Sequence, residues 1–181
     1  MDAIRVTDER LKAVLQVMAR TGIEQAADGL SEMIGQRITM TVPTVCVAPL
    51  TSVPQRVGGA EAMVVGIYLA CEGEMSGHIM LILDYADALR LVDLLFGQPE
   101  GTAKELNALY RSALAEAGNL TASYFLNATA AVLGLAGRPS PPAVIVDMAG
   151  AILDIVLITA GELSDEVLLL ETVFQSENRQ L

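Results

Sequence analysis

Five polar residues recur along one stretch of the chain: Ser112, Glu116, Asn119, Ser123 and Asn127. Their spacing of four, three, four and four puts all of them on one stripe of a helix. A Glu and an Asn three apart on a rigid helix have a definite chemistry. The Asn amide both donates and accepts hydrogen bonds, so it holds a water at a fixed angle without titrating. The Glu pairs with a partner's Lys or Arg and fixes the docking register. Together they form an insert that orients a water against an electrophile supplied by another molecule. They are not a self-contained active site. The single His rules out a Ser-His-Asp set, and the chain has neither a Gly-x-x-x-x-Gly-Lys loop nor a metal cage. The competing use of such a stripe is a solvated face. Against that, Glu116 is the only charge on it, whereas an ordinary exposed face in an acidic protein mixes Lys, Arg and Glu.

An internal repeat sharpens the contrast. At a shift of 99, Met33-Ile34-Gly35 falls on Val132-Leu133-Gly134, Pro43 on Pro142, and Val45-Cys46-Val47 on Val144-Ile145-Val146. At a shift of 88, Gly73-Glu74-Met75-Ser76 falls on Gly161-Glu162-Leu163-Ser164, which places a longer connection in the first copy, over residues 50–62. Ser112, Glu116 and Asn119 fall on Ala13, Val17 and Arg20, and the first-copy stripe continues through Glu24 and Asp28. A structural need for Glu and Asn shared by both copies would have kept them alike.

The elements that must position the stripe are read from periodicity. Residues 8–35 read as helical in one or two pieces, interrupted at Gly22, with Leu11, Val14, Leu15 and Met18 at helical spacing. Residues 37–48 read as a strand with Pro43 at an edge or bulge, and 50–59 as a loop. Residues 62–71 and 76–83 form a hairpin, and Asp84 caps a helix that runs to Phe96. The long helix spans 102–134, opened by a Thr102/Glu105 capping box. Residues 143–148, 151–159 and 166–174 read as strands, with a polar tail from Gln175 onward. The expected fold is α+β, a single domain over 1–181: a pseudo-twofold helix–strand unit whose halves cover about 8–96 and 102–174, with the two long helices together on a mainly antiparallel sheet.

Composition bounds the partners. Charged residues at 18% and hydrophobic ones at 52% describe a folded chain, and aromatics at 4% leave the core to aliphatic side chains. A net charge of −11 argues against nucleic acid and against an anionic membrane surface, but not against a protein with a local basic patch. Cys46 and Cys71 sit in apolar runs and read as small core residues. His78 reads as an exposed or satisfied side chain at a strand start. The apolar run over 141–159 contains Asp147, Gly150 and Asp154, so two strands with a turn explain it better than a membrane span. With no signal pattern at Met1-Asp2-Ala3-Ile4-Arg5, the expected location is cytoplasmic.

Ser112-x3-Glu116-x2-Asn119, with Pro142 after a further 22 residues, resembles the signature of the CheC/CheX/FliY family of chemotaxis phosphatases. The surrounding residues 116–128, 139–153 and 26–35 are similar to CheC-type members, and the likeness covers nearly the whole chain. It implies an α/β sandwich with the long helices antiparallel, and hydrolysis of the aspartyl phosphate of a CheY-type response regulator. It further implies that Asn119 orients the attacking water, Glu116 bridges the regulator's Lys, and Ser112 and Pro142 support them. It implies no cofactor of the protein's own, with Mg²⁺ expected in the bound regulator. Val17 and Arg20 depart from the two-site pattern: Val cannot form the bridge and Arg has no acceptor, so the first site is expected to be degenerate. The resemblance also implies a possible contact with the deamidase CheD at Asp147, Met148 and Ala149, a stretch that equally reads as a tight turn. The alternative function is a non-catalytic adaptor for CheD or for a flagellar switch complex.

Overall fold

Small residues let two long helices lie against each other and against the sheet. A computed structural model describes residues 9–160, 166–176 and 179–180 of the chain. Its elements are α1 (Glu9–Ile34), β1 (Ile38–Met40), β2 (Thr44–Pro49), a 3-10 turn (Leu50–Ser52) leading into the one-turn α2 (Val53–Arg56), β3 (Met63–Gly73), β4 (Gly77–Asp84) and α3 (Tyr85–Leu95). Then come α4 (Ala108–Leu133), β5 (Gly137–Pro139), β6 (Ala143–Met148), α5 (Ala149–Ala160), β7 (Glu166–Glu171), β8 (Phe174–Ser176) and β9 (Arg179–Gln180).

Helix α1 runs unbroken through Gly22. A methyl group there would lie 2.9 Å from the Phe125 Cα, and one at Gly29 would overlap the Tyr124 ring. Earlier residues of α1 therefore meet later residues of α4, and the pair is antiparallel. Gly118 does the same for the sheet: a Cβ would come 2.6 Å from Ile67 Cγ2, so α4 rests directly on β3. The helix penalty of Gly, about 1 kcal/mol relative to Ala, is offset at these contacts by close packing.

Strand β3 is the hub, antiparallel to β4 on one side and to β5 and β6 on the other. β2 pairs with β7, and β8 lies between β1 and β9, again antiparallel. Alternation along β3 separates two environments. Val65, Ile67 and Leu69 join Val92 of α3 and Leu114 and Ala122 of α4 in the main core. Val64 faces the other way and joins Ala149 and Ile152 of α5. The architecture is α+β, as expected from the sequence.

Helices α1 and α4, strands β1 and β5, and strands β2 and β6 all correspond at the shift of 99. The strand registers correct the second shift. β6 sets Met148 against Met63, while β2 sets Pro49 against Glu166. β5 sets Gly137 against Gly73, while β1 sets Ile38 against Ser176. Strand β3 therefore corresponds to β7 and β8 together at a shift of 103, not 88. Gly161–Ser164, the second half of the match at 88, lie outside the described residues; by the strand registers the longer connection belongs to the second copy, over 149–165.

That connection explains the largest discrepancy with the sequence reading. Residues 151–159, expected as a strand, belong to α5. Ala149 and Ile152 are buried three apart while Asp154 and Ile155 are exposed, which is a helical period. The run is apolar on nearly every side, so it shows no alternation to separate helix from strand.

The start of α4 also differs. Asn107, not Thr102, is the N-cap, and its Oδ1 accepts the Tyr110 N–H at 2.9 Å. Thr102 donates its hydroxyl to the Pro99 carbonyl instead. The cause is Asp93, wholly buried in α3, which accepts the N–H groups of Gly101, Thr102 and Ala103 at 2.7, 3.1 and 2.7 Å. Those bonds hold 101–103 as a loop and bury Ala103 and, three residues on, Leu106. Elsewhere, 37–48 divides into β1 and β2 around Pro43, the 50–59 stretch contains α2, and Gln175 and Ser176 pair with Thr39 and Ile38 rather than fraying. Asp84 caps α3 as expected, accepting from the Ala86 N–H.

Candidate functional site

The inner face of α4 is fixed first. Leu114, Ala117, Gly118 and Ala122 are buried against α1 and β3, so the residues between them turn outward. Ser112 and Glu116 are exposed, Asn119 and Ser123 half-buried, and Asn127 exposed. The predicted stripe exists and is accessible. Ser112 Oγ donates to the Ala108 carbonyl one turn back at 3.0 Å, which orients it along the helix. The Glu116 carboxylate and the Asn119 amide have no hydrogen bond or ion pair to any other described residue. Two strong hydrogen-bonding groups thus stand one helical turn apart on a rigid support, both uncommitted.

The first copy presents the opposite arrangement at the same positions. Val17, the counterpart of Glu116, is 57% exposed. Arg20, the counterpart of Asn119, donates from Nε to Glu24 Oε1 at 2.8 Å. That hydrogen bond, and secondly the charge of Glu24, push the Arg20 pKa above its ordinary value. Its donors are partly taken and it offers no acceptor. Arg20 therefore lacks the acceptor that an amide at its position offers a water.

Other predicted residues lie elsewhere. Pro142 sits half-buried in the connection between β5 and β6. That connection is fastened to β3 by Ser140, whose N–H donates to the Ala70 carbonyl and whose Oγ accepts the Ala70 N–H. Pro142 therefore belongs to a bend held against β3, not to the stripe. Asp147, Met148 and Ala149 form the junction of β6 and α5, not a tight turn between strands. Asp147 Oδ1 accepts the Met148 N–H at 2.7 Å. Ala149 is buried against Val64 and so is not a surface contact, whereas Met148 is 45% exposed. Because α5 covers the Val64 face of β3 and α4 the Ile67 face, α5 and the helix that bears the stripe lie on opposite faces of the sheet, while Met148, paired with Met63, is on the Ile67 side.

Cys71 is buried and donates its thiol to the Met75 carbonyl; burial, and then the charge of Glu72, push its pKa up. Cys46 is half-buried, and neither cysteine is bridged. His78 is exposed on β4, stacked on Tyr68 with its Nδ1 2.6 Å from the phenol oxygen. Among the described residues no group of three or more His, Cys, Asp or Glu is arranged to hold a metal ion, and no helix is long and apolar enough to cross a membrane. A shallow groove runs along α1 and β1, lined by Glu24, Asp28, Glu32 and Arg37, and none of Ser112, Glu116 or Asn119 borders it.

Two features of the site escaped the sequence reading. Asp93 anchors the loop that delivers the chain into α4; its signal, a lone acid in an apolar helix face, is weak. Leu109 stands 62% exposed three residues before Ser112, on the same stripe. A list of polar residues omits it by construction.

No family model matches the chain. Among characterised proteins it is similar to the CheY-P phosphatase CheC of Bacillus subtilis (strain 168), 26% identical over 170 residues, 92% of this chain and 81% of that protein. It is also similar to the putative CheY-P phosphatase CheC1 of Halobacterium salinarum, 25% identical over 127 residues, 70% of this chain and 64% of that protein. Among solved structures, Thermotoga maritima FliY matches with a TM-score of 0.81 at 21% identity, over 98% of this chain and 89% of that one. The FliM middle domain of H. pylori matches at 0.71 with 7% identity, over 96% and 89%. The chemotaxis protein CheX of Desulfovibrio desulfuricans matches at 0.54 with 16% identity, over 90% and 93%. At those identities the structural likeness shows the shared fold.

Proposed function

We propose, from the premise that this chain belongs to the CheC/CheX/FliY family, that it hydrolyses the aspartyl phosphate of a CheY-type response regulator with Glu116 and Asn119 of α4. The observation that carries this reading is that both side chains are uncommitted on an accessible stripe, while their first-copy counterparts are an apolar Val17 and an Arg20 already paired with Glu24. The reading gives one working site per chain.

In this mechanism the regulator supplies the electrophile, its own Lys and its Mg²⁺. Glu116 pairs with that Lys and sets the register of the helix on the regulator. The Asn119 carbonyl oxygen accepts a hydrogen bond from a water and holds its oxygen in line with the acyl-phosphate bond. The water oxygen attacks phosphorus, the bond from phosphorus to the aspartyl oxygen breaks, and inorganic phosphate and the free carboxylate leave. Nothing in α4 takes part covalently. Its contribution is orientation, which is worth several kcal/mol when a reactant is held in a near-attack position. Ser112 bounds the site, and Pro142 shapes the bend held against β3.

A second reading is a non-catalytic adaptor that binds CheD or a flagellar switch complex. It is supported by an exposed apolar residue on the other side of the sheet: Ile158 of α5, 82% exposed. Because the two surfaces are separate, one protein could carry both activities. The deciding experiment measures loss of label from a radiolabelled phospho-CheY with wild type, Glu116→Ala and Asn119→Ala. Acceleration by wild type alone supports the phosphatase. No acceleration, with the regulator shown to be phosphorylated, moves the assignment to the adaptor.

A further inference from the structure

The outward seam of α4 is longer than its polar residues. Leu109, Ser112, Glu116, Asn119 and Ser123 are spaced three, four, three and four, the heptad spacing with which a helix presents one edge to a partner. Leu109 opens this seam in the first turn of α4 and is 62% exposed. The next residue, Tyr110, packs on Phe96 at the end of α3, with ring centroids 5.3 Å apart, and Phe96 is itself partly exposed. An exposed Leu thus stands on the same stripe as the Glu and the Asn, and a partly exposed Phe96 packs on the residue that follows it. In the first copy Leu109 falls on Arg10, a charged residue in place of the apolar one.

We propose that Leu109 is the apolar anchor by which the phosphorylated regulator docks on α4, with the partly exposed Phe96 packed on the residue that follows it. The identity of the partner rests on the phosphatase reading above. Charge supports an apolar anchor. The chain carries −11, and the partner brings an anionic phosphoryl group to the contact. Long-range attraction is therefore unfavourable, and a single Glu–Lys pair at an exposed position is worth little. Interfaces of this kind draw their energy from a few apolar residues desolvated beside the polar groups that give specificity. Leu109 is placed two turns from Glu116, close enough to share one footprint and too far to touch the reacting atoms. It is a positioning residue for the complex, not a catalytic one.

The test uses the full chain as wild type, Leu109→Ala, Asn119→Ala and Val17→Ala, the last removing a comparably exposed apolar side chain from the degenerate stripe. Turnover of a CheY-type regulator phosphorylated with acetyl phosphate is measured, as is affinity for the same regulator in its beryllofluoride form. Leu109→Ala is expected to raise KM and Kd about tenfold while kcat at saturation holds. Asn119→Ala should lower kcat, and Val17→Ala should change neither. Unchanged KM and Kd in a folded Leu109→Ala, with wild type active, overturns the anchor and leaves the phosphatase reading standing. If wild type binds the beryllofluoride form without turnover and Leu109→Ala weakens that binding, the anchor stands and the phosphatase reading falls. Absence of both binding and turnover in wild type overturns both.

Discussion

Replacing Asn119 with Ala removes the amide that orients the water and disturbs little else, because that amide bonds to no other described residue. Turnover should fall by about two orders of magnitude or more, the scale of losing a positioning group, while the thermal midpoint stays within about 2 °C of wild type. A stopped assay of phospho-regulator decay beside a melting curve reads both. Glu116→Gln should act differently, keeping the size and losing the charge, so its main effect falls on KM. Arg20→Ala leaves turnover unaltered, since its Nε is engaged with Glu24 on the other long helix; a large loss there, in a folded protein, would show that the first copy is not idle. At this scale the sequence singles out an unmatched Glu and Asn between two copies, and neither side chain has a partner among the described residues. Leu109 was not legible, because a Leu among helix residues reads as core until the fold shows which side faces out.

Element boundaries were less legible than element identities, and the failures have physical causes. The long helices, the hairpin and the Asp84 cap are encoded locally and were recovered. The start of α4 depends on Asp93, which lies in a different helix and outcompetes the Thr102/Glu105 capping pattern by accepting three backbone N–H groups at once. Asp93→Asn should therefore cost about 2–3 kcal/mol by urea unfolding, because one amide NH₂ then faces N–H donors that need an acceptor. Hydrogen exchange should rise first at 101–103 and in the opening turn of α4, which carries Leu109 and Ser112. Unchanged exchange there would remove Asp93 from the positioning of the site. Gly118 sets the other coordinate of α4. Gly118→Ala would press a methyl group into Ile67, 2.6 Å from its Cγ2. A cost of about 1–3 kcal/mol is expected, and Ile67→Val in the same chain should return part of it by making room. A simple sum of the two single effects would mean that the residues do not share the contact. The helix α5 was missed for a different reason: a nearly all-apolar run has no period to read, and a four-residue match between the copies outweighed a strand register that only the folded sheet reveals.

Across the whole molecule, the two copies of one unit carry different side chains at matched positions. The shift of 99 relates both long helices and the first two strands of each half, and two additions accompany them: the α3 segment with Asp93 and Phe96, which leads into the second half, and the long α5, which stands where the first half has the one-turn α2. Both additions border an exposed surface, one beside the opening turn of the helix that bears the Glu116–Asn119 stripe and one on the opposite sheet face. The charge of the whole chain bears on the first of these. With −11 on this molecule and a phosphoryl group on its partner, the long-range part of the encounter is repulsive at low salt and is screened beyond a Debye length, about 10 Å at 0.1 M salt. A Glu116–Lys pair in contact lies well inside that length and is screened less. Salt should therefore remove the long-range repulsion before it weakens the contact. Raising ionic strength from about 0.03 to 0.2 M is expected to lower KM for the phospho-regulator or leave it level, with kcat unchanged, provided Mg²⁺ is held saturating. Steady-state kinetics across that range decide the matter. A KM that climbs steeply with salt would mean that a local basic patch on the regulator, meeting the acids of α1 and α4, dominates association, and Leu109 would then be secondary to charge in holding the complex together.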